Sequence, residues 1–254
     1  ANGDRVNRPR VKSAVNEGLI ERGEYDHFML KEIHEQPESL ARSILPYIDQ
    51  ATQTLNLGDV ADTMFAKADR AVAIACGTAY YAAHTAKYWF EQKAKLAFET
   101  DIASEFRYRE PVLPQTGPAM FVSQSGETAD TLAALRYCRQ NGTPAVAVVN
   151  VPESSIAREA AAIAPTYAGP EIGVASTKAF TAQLSVLAVL ALNAAKARGH
   201  LLPGDEVMAV KSLMALPRKV TEALEAQDDI REIAKTLAPC RDVLFLGRGR
   251  YYPL

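Results

Sequence analysis

The stretch Ser123-Gln124-Ser125-Gly126-Glu127-Thr128 puts three hydroxyls, a carboxamide and a glycine side by side. Such groups donate hydrogen bonds, and a glycine among them lets backbone amides come close, so the combination suits an anion with several oxygens, phosphate above all. Ser125 and Thr128 could also serve as plain helix caps. Four polar side chains in so short a run exceed what one cap requires. Cys76-Gly77-Thr78-Ala79 and Glu171-Ile172-Gly173-Val174-Ala175-Ser176-Thr177 are two further polar stretches of turn-like composition. Metal chemistry is not indicated: His27, His34, His84 and His200 have no ligand spacing, and Cys76, Cys138 and Cys240 are scattered.

The elements that must position these residues follow from periodicity. Apolar runs predict strands at Ala71–Cys76, Leu96–Ala103, Pro118–Ser123, Ala145–Val151 and Ile163–Ala168. Helical patterns lie between most of them: Tyr80–Lys95 after Gly77-Thr78-Ala79, and a helix after the hydroxyl-rich stretch with Ala129, Leu132, Leu135 and Cys138 on one face. That second helix carries Glu127 and Asp130 at its start, Arg136 and Arg139 at its end, and Asn141-Gly142 as a left-handed stop. Apolar strands alternating with helices imply an α/β fold with a parallel sheet covered on both faces. In such sheets ligands bind at the carboxyl ends of the strands, where all three polar stretches fall.

Ahead of this unit, residues 1–24 are charged and aperiodic and read as a linker. Phe28, Met29 and Ile33 predict a helix interrupted by Pro37, and Leu40, Ile44 and Ile48 a second one. After a helix at about Ser176–Ala197, Gly199 and Pro203-Gly204 mark a boundary, with two amphipathic helices on either side of Pro217. Asp242-Val243-Leu244-Phe245-Leu246-Gly247-Arg248-Gly249-Arg250-Tyr251-Tyr252 repeats the order of Ala71 to Tyr81: apolar strand, glycine turn, Tyr-Tyr pair. This predicts residues 25–200 as one lobe, 201–241 as a helical connection and 242–254 as the start of a truncated second lobe.

With 254 residues and a net charge of −2, the chain has enough apolar content for a sizeable core and no strong attraction for nucleic acid or an anionic membrane. The scattered cysteines argue for a reducing, cytoplasmic compartment. The uncharged stretch between Lys178 and Lys196 is punctuated by Thr181, Gln183, Ser185 and Asn193, so it reads as a buried helix suited to a subunit contact rather than as a membrane span.

Four ordered segments carry a family resemblance: Lys31-Glu32-Ile33-His34-Glu35-Gln36-Pro37, Ala75-Cys76-Gly77-Thr78, Ser123 to Thr131, and Glu171 to Thr181. Together they resemble the glucosamine-6-phosphate synthase family, the glutamine:fructose-6-phosphate aminotransferases, over about Tyr25 to Leu254. Leu246-Gly247-Arg248-Gly249 resembles the opening of that family's second sugar-isomerase (SIS) lobe. The resemblance implies an SIS-type three-layer sandwich with a five-stranded parallel sheet. It also implies an enzyme that makes glucosamine 6-phosphate from fructose 6-phosphate and glutamine, with no cofactor, as a homodimer. The sugar phosphate is then held by Thr78, Ser123, Gln124, Ser125 and Thr128, with Val174 beside the sugar. Ala79 stands where the family commonly has Ser, which leaves only its backbone N–H for the ligand.

By the same resemblance the glutaminase nucleophile is an N-terminal Cys, for which this chain has Ala1, and the imine-forming Lys, proton-shuttling Glu and ring-opening His belong to positions past Leu254. No catalytic residue is therefore assigned here. Lys178 reads as structural, Glu127 as a helix-dipole partner, His84 as a core or interface residue and Cys76 as packing. The alternatives are a non-catalytic SIS module that senses a sugar phosphate and an isomerase of the phosphoheptose type. Against the first, residues 1–24 are too short for a DNA-binding helix-turn-helix. Against the second stand the Lys31–Pro37 segment and the beginning of a second lobe.

Overall fold

The structure, a computed structural model, describes residues 20–58 and 64–253; most of the expected linker, residues 1–19, lies outside them. The chain opens with α1 (Phe28–His34) and α2 (Gln36–Ile44), followed by a two-strand ribbon, β1 (Ile48–Asp49) and β2 (Thr54–Leu55). Pro37 does not break a helix but sits in the first turn of α2, where its missing N–H costs nothing. Ile48 belongs to the ribbon rather than to the second helix, which ends at Ile44.

The central unit runs β3 (Arg70–Ala75), α3 (Gly77–Ala94), β4 (Ala97–Ile102), α4 (Ala103–Arg109), β5 (Ala119–Ser123), α5 (Ala129–Gln140), β6 (Ala145–Val149), α6 (Ser155–Glu159), β7 (Ala162–Pro165) and α7 (Lys178–Ala197). Its five strands are all parallel, in the order β4-β3-β5-β6-β7. All five strands expected between residues 71 and 168 are present. The fifth ends at Pro165, short of the end of its apolar run; Tyr47 Oη donates to Pro165 O at 2.7 Å, Ser43 Oγ donates to Thr166 O, and Tyr167 turns to φ +50°. Gly77, Thr78 and Ala79 form the first turn of α3 rather than a loop before it.

Strand alternation sorts the core into two layers. Ala71, Ala73 and Ala75 of β3, Met120 and Val122 of β5, and Val146 and Val148 of β6 face α3 and α7. Val72, Ile74, Ala119, Phe121, Ala147 and Val149 face α4, α5 and α6. Short alanine side chains on the first face let α3 and α7 lie close to the sheet and to each other. Thirteen residues of α7 are buried, so the uncharged helix is spent inside this chain's own core against α3 and α2, and is not a free face for a subunit contact. By length and composition α7 is also the one candidate membrane span among the described residues, and its burial is that of a core helix.

Three helices follow α7, not two: α8 (Pro203–Met214), α9 (Leu216–Leu224), which carries Pro217 in its first turn, and α10 (Gln227–Leu237). The expected strand over 242–246 is absent; Leu244, Phe245 and Leu246 are exposed and pair with nothing among the described residues. A single 3-10 turn, Gly249–Tyr251, lies against α3, where the Tyr252 ring comes 6.1 Å from that of His84.

Candidate functional site

The sheet order creates the site. From β3 the chain moves outward to β4, then returns to the other side of β3 for β5, so the loops after β3 and β5 leave in opposite directions. α3 goes to one face and α5 to the other. The crevice that opens at such a switch point is where parallel α/β sheets hold ligands. A cavity of about 270 Å³ occupies it, lined by Thr78 and Ala79 from the head of α3, by Ser123, Gln124, Ser125 and Thr128 from the end of β5 and the following turn, and by Glu171, Ser176 and Gln183.

Both helix heads at this cavity lack a side-chain cap. α3 starts after Cys76 and α5 after Thr128, and neither residue accepts a bond from its helix's first amides. The hydroxyls expected to act as caps bond elsewhere: Ser123 Oγ accepts from Gly126 N at 3.0 Å and pairs with Thr128 Oγ1 at 3.0 Å, and Ser125 Oγ accepts from Glu127 N at 3.1 Å. They shape the turn and leave the first-turn N–H groups of both helices without a protein side chain. Each helix head carries about half a positive charge, so two of them on opposite sides of one crevice favour a multivalent anion.

α7 is arranged differently. Glu171 Oε1 accepts from Thr177 N at 2.9 Å and Ala179 N at 3.1 Å, and its Oε2 accepts from Ser176 Oγ at 3.0 Å. The carboxylate thus caps this helix and neutralises its dipole.

The segment from Lys31 to Pro37 holds the third loop in place. The Glu32 carboxylate, 2% exposed, accepts from Ile172 N at 2.5 Å and from Gly173 N at 3.1 Å. A Cβ on Gly173 would sit 2.5 Å from Glu32 Oε2, which is why a glycine stands there. Glu35 receives the Lys178 ammonium at 2.5 Å and that of Lys31 at 3.2 Å. Burial raises the Glu35 pKa, and the two ammonium groups more than offset this and hold it below the ordinary carboxylate range. The Lys178 ammonium is thus held in a buried ion pair at the head of α7.

Other expectations shift. Gly126, at φ +65°, makes room for Ser154, whose Oγ would lie 2.0 Å from an added Cβ. Glu127 precedes α5 and accepts from Ser155 N at 2.8 Å; that amide bond, first among its causes, lowers the carboxyl's pKa. Val174 is fully exposed at the loop tip and does not line the cavity. His84 bonds Thr100 Oγ1 at 2.7 Å. Gln183 was not singled out by sequence as a site residue. Its only signal was being one of the polar residues interrupting the uncharged helix. No group of three or more His, Cys, Asp or Glu that could hold a metal occurs among the described residues.

A model of the SIS domain matches residues 64–193, half of the chain and all five strands of the sheet. The chain belongs to the SIS domain family. Over nearly its whole length, this SIS chain is 52% identical to a glutamine–fructose-6-phosphate aminotransferase (isomerizing) of Bradyrhizobium diazoefficiens, matching 99% of this chain and 41% of that protein. It is 51% identical to the enzyme of the same name from Agrobacterium fabrum, with the same coverage of each. The chain thus spans about two fifths of the length of these curated relatives. Among solved structures, the C-terminal domain of the glucosamine-fructose-6-phosphate aminotransferase of Francisella tularensis superposes with a TM-score of 0.88 at 40% identity, covering 92% of this chain and 65% of that one. A glucosamine-6-phosphate deaminase of Thermotoga maritima shares the fold, with a TM-score of 0.58 at 22% identity and coverage of 76% and 54%. The resemblance carried by the four segments extends across the chain.

Proposed function

We propose that the switch-point crevice binds a sugar phosphate, fructose 6-phosphate or glucosamine 6-phosphate, and that the chain is the first SIS lobe of a glutamine–fructose-6-phosphate aminotransferase. The observation that carries this reading is the pair of uncapped helix heads, α3 and α5, meeting from opposite faces across a cavity lined by hydroxyls. The ester phosphate lies between them, taking backbone N–H groups from both and hydroxyl donors from Thr78, from Ser125 and from whichever of Ser123 and Thr128 does not donate to the other. The sugar extends toward Glu171, Ser176 and Gln183, with the loop of Val174 at the rim. Ala79 contributes through its backbone alone.

The reaction of the whole protein joins fructose 6-phosphate and glutamine to give glucosamine 6-phosphate and glutamate. Within it this lobe binds and orients the phosphorylated end; no residue of the chain is given a proton-transfer role. Residues 25–200 form the lobe, 201–241 the helical connection, and 242–254 the opening of a second lobe whose strand needs partners from outside the described residues. The protein works as a homodimer in the cytoplasm, a setting that three free thiols support.

Calorimetric titration with fructose 6-phosphate, and separately with fructose, tests the reading. Saturable binding of the ester alone is expected, weakened about fivefold by Ser125→Ala, the loss of one neutral hydrogen bond worth about 1 kcal/mol. Equal behaviour of ester and free sugar would sink it.

A further inference from the structure

Gln183 lies in the second turn of α7, is 3% exposed and lines the crevice. Its Oε1 is fully buried and has no hydrogen-bond partner in the protein. A buried amide oxygen without a donor costs stability, and in native proteins such a group calls for an explanation.

The chemistry of the cavity supplies one. The α3 and α5 side offers donors. On the α7 side the Glu171 carboxylate is used up by two amides and the Ser176 hydroxyl. Gln183, which lines the same side, keeps an acceptor without a donor. Gln124 adds a second: its Nε2 donates to Gly169 O at 3.3 Å while its Oε1 is buried and unpartnered. The doubly ionised phosphate group of an ester carries no proton to give an acceptor. A sugar hydroxyl does.

We propose that Gln183 is a substrate contact whose carboxamide oxygen accepts a hydrogen bond from a hydroxyl of the bound ester, so that the crevice selects polyhydroxylated phosphate esters over phosphate itself. This rests on the sugar-phosphate reading of the same site.

The test compares the unsubstituted chain with Gln183→Met, close in volume and without the acceptor, by calorimetry against fructose 6-phosphate and inorganic phosphate, alongside thermal melts. The expected result is a roughly threefold to tenfold rise in Kd for the ester, an unchanged Kd for phosphate, and a Tm that holds or rises because an unpaired acceptor has gone. On the ligand side, one member of a series of monodeoxy hexose 6-phosphates should bind the unsubstituted chain more weakly by the same factor, a result that does not depend on the variant's folding.

An unchanged ester Kd overturns the contact and leaves the sugar-phosphate reading standing. Equal losses for ester and phosphate make Gln183 a phosphate ligand and also overturn it, as does a lowered Tm accompanied by loss of both. If the unsubstituted chain binds no ester, the underlying reading falls and the contact falls with it.

Discussion

The Lys178 ammonium lies 2.5 Å from Glu35 Oε2, and the lysine side chain is 1% exposed. The pair joins the junction of α1 and α2, where Glu35 lies, to the head of α7 across 143 residues of sequence, so the first two described helices are tied to the rim of the crevice. Removing one partner leaves a buried charge uncompensated. Glu35→Gln should therefore cost about 3–5 kcal/mol of stability, read from urea unfolding, while Glu35→Leu combined with Lys178→Met should recover most of the loss. Equal losses in single and double variants would contradict this.

The same glutamate gives a pH dependence with a defined sign. Its folded pKa is lowered, so its contribution is complete above the unfolded carboxylate value of about 4.3 and fades as pH falls through the lower folded value. Unfolding free energy should drop more steeply with acid below about pH 4.3 in the unsubstituted chain than in Glu35→Gln. Parallel curves would assign acid sensitivity to other carboxylates.

Glu32 and Gly173 should act as one unit. Glu32→Ala strands two amides and Gly173→Ala drives a methyl into the carboxylate. Each is expected to cost about 2–3 kcal/mol; the double variant should cost clearly less than their sum. Hydrogen exchange at Ile172 and Gly173 should speed up in both single variants. Additive losses would mean that the contact is not shared.

Thr128→Asp separates stability from binding. A carboxylate at this position caps α5 and complements its dipole, raising stability by about 0.5–1 kcal/mol. The same charge repels the ester phosphate, so binding of fructose 6-phosphate should disappear. A more stable variant that still binds would show that the phosphate does not sit at this helix head.

The thiols should react in a fixed order. Cys240 is exposed, Cys76 borders the crevice, and burial pushes the Cys138 pKa up to about 12. Iodoacetamide should modify Cys240 first, Cys76 more slowly and with protection by fructose 6-phosphate, and Cys138 only on unfolding. Rapid labelling of Cys138 in the folded chain would refute its placement.

The sheet was readable from sequence because parallel strands buried on both faces are apolar throughout, as in Ala145–Val149, and the hydroxyl cluster at Ser123–Thr128 stands out by density. Less was readable where the decisive partner is remote. Glu32 meets Gly173 across 141 residues, and no local pattern announces it. Gln183 looks like any polar residue on a helix until the fold turns it inward. The glycine at 126 is legible in its turn, but the neighbour it admits, Ser154, comes from another loop and no local pattern announces it. The apolar run at 242–246 showed strand character, yet a strand exists only with a partner to pair with.

Glu171 occupies the head of α7, so of the three helix heads at the crevice only those of α3 and α5 are left uncapped to attract a negative ion. On the proposed reading, sulfate or phosphate from a buffer contends with the sugar phosphate for that place. Such salts should behave as simple competitors, their effect vanishing at high ester concentration. An assay run in them would report a spuriously weak affinity unless the salt were varied along with the sugar.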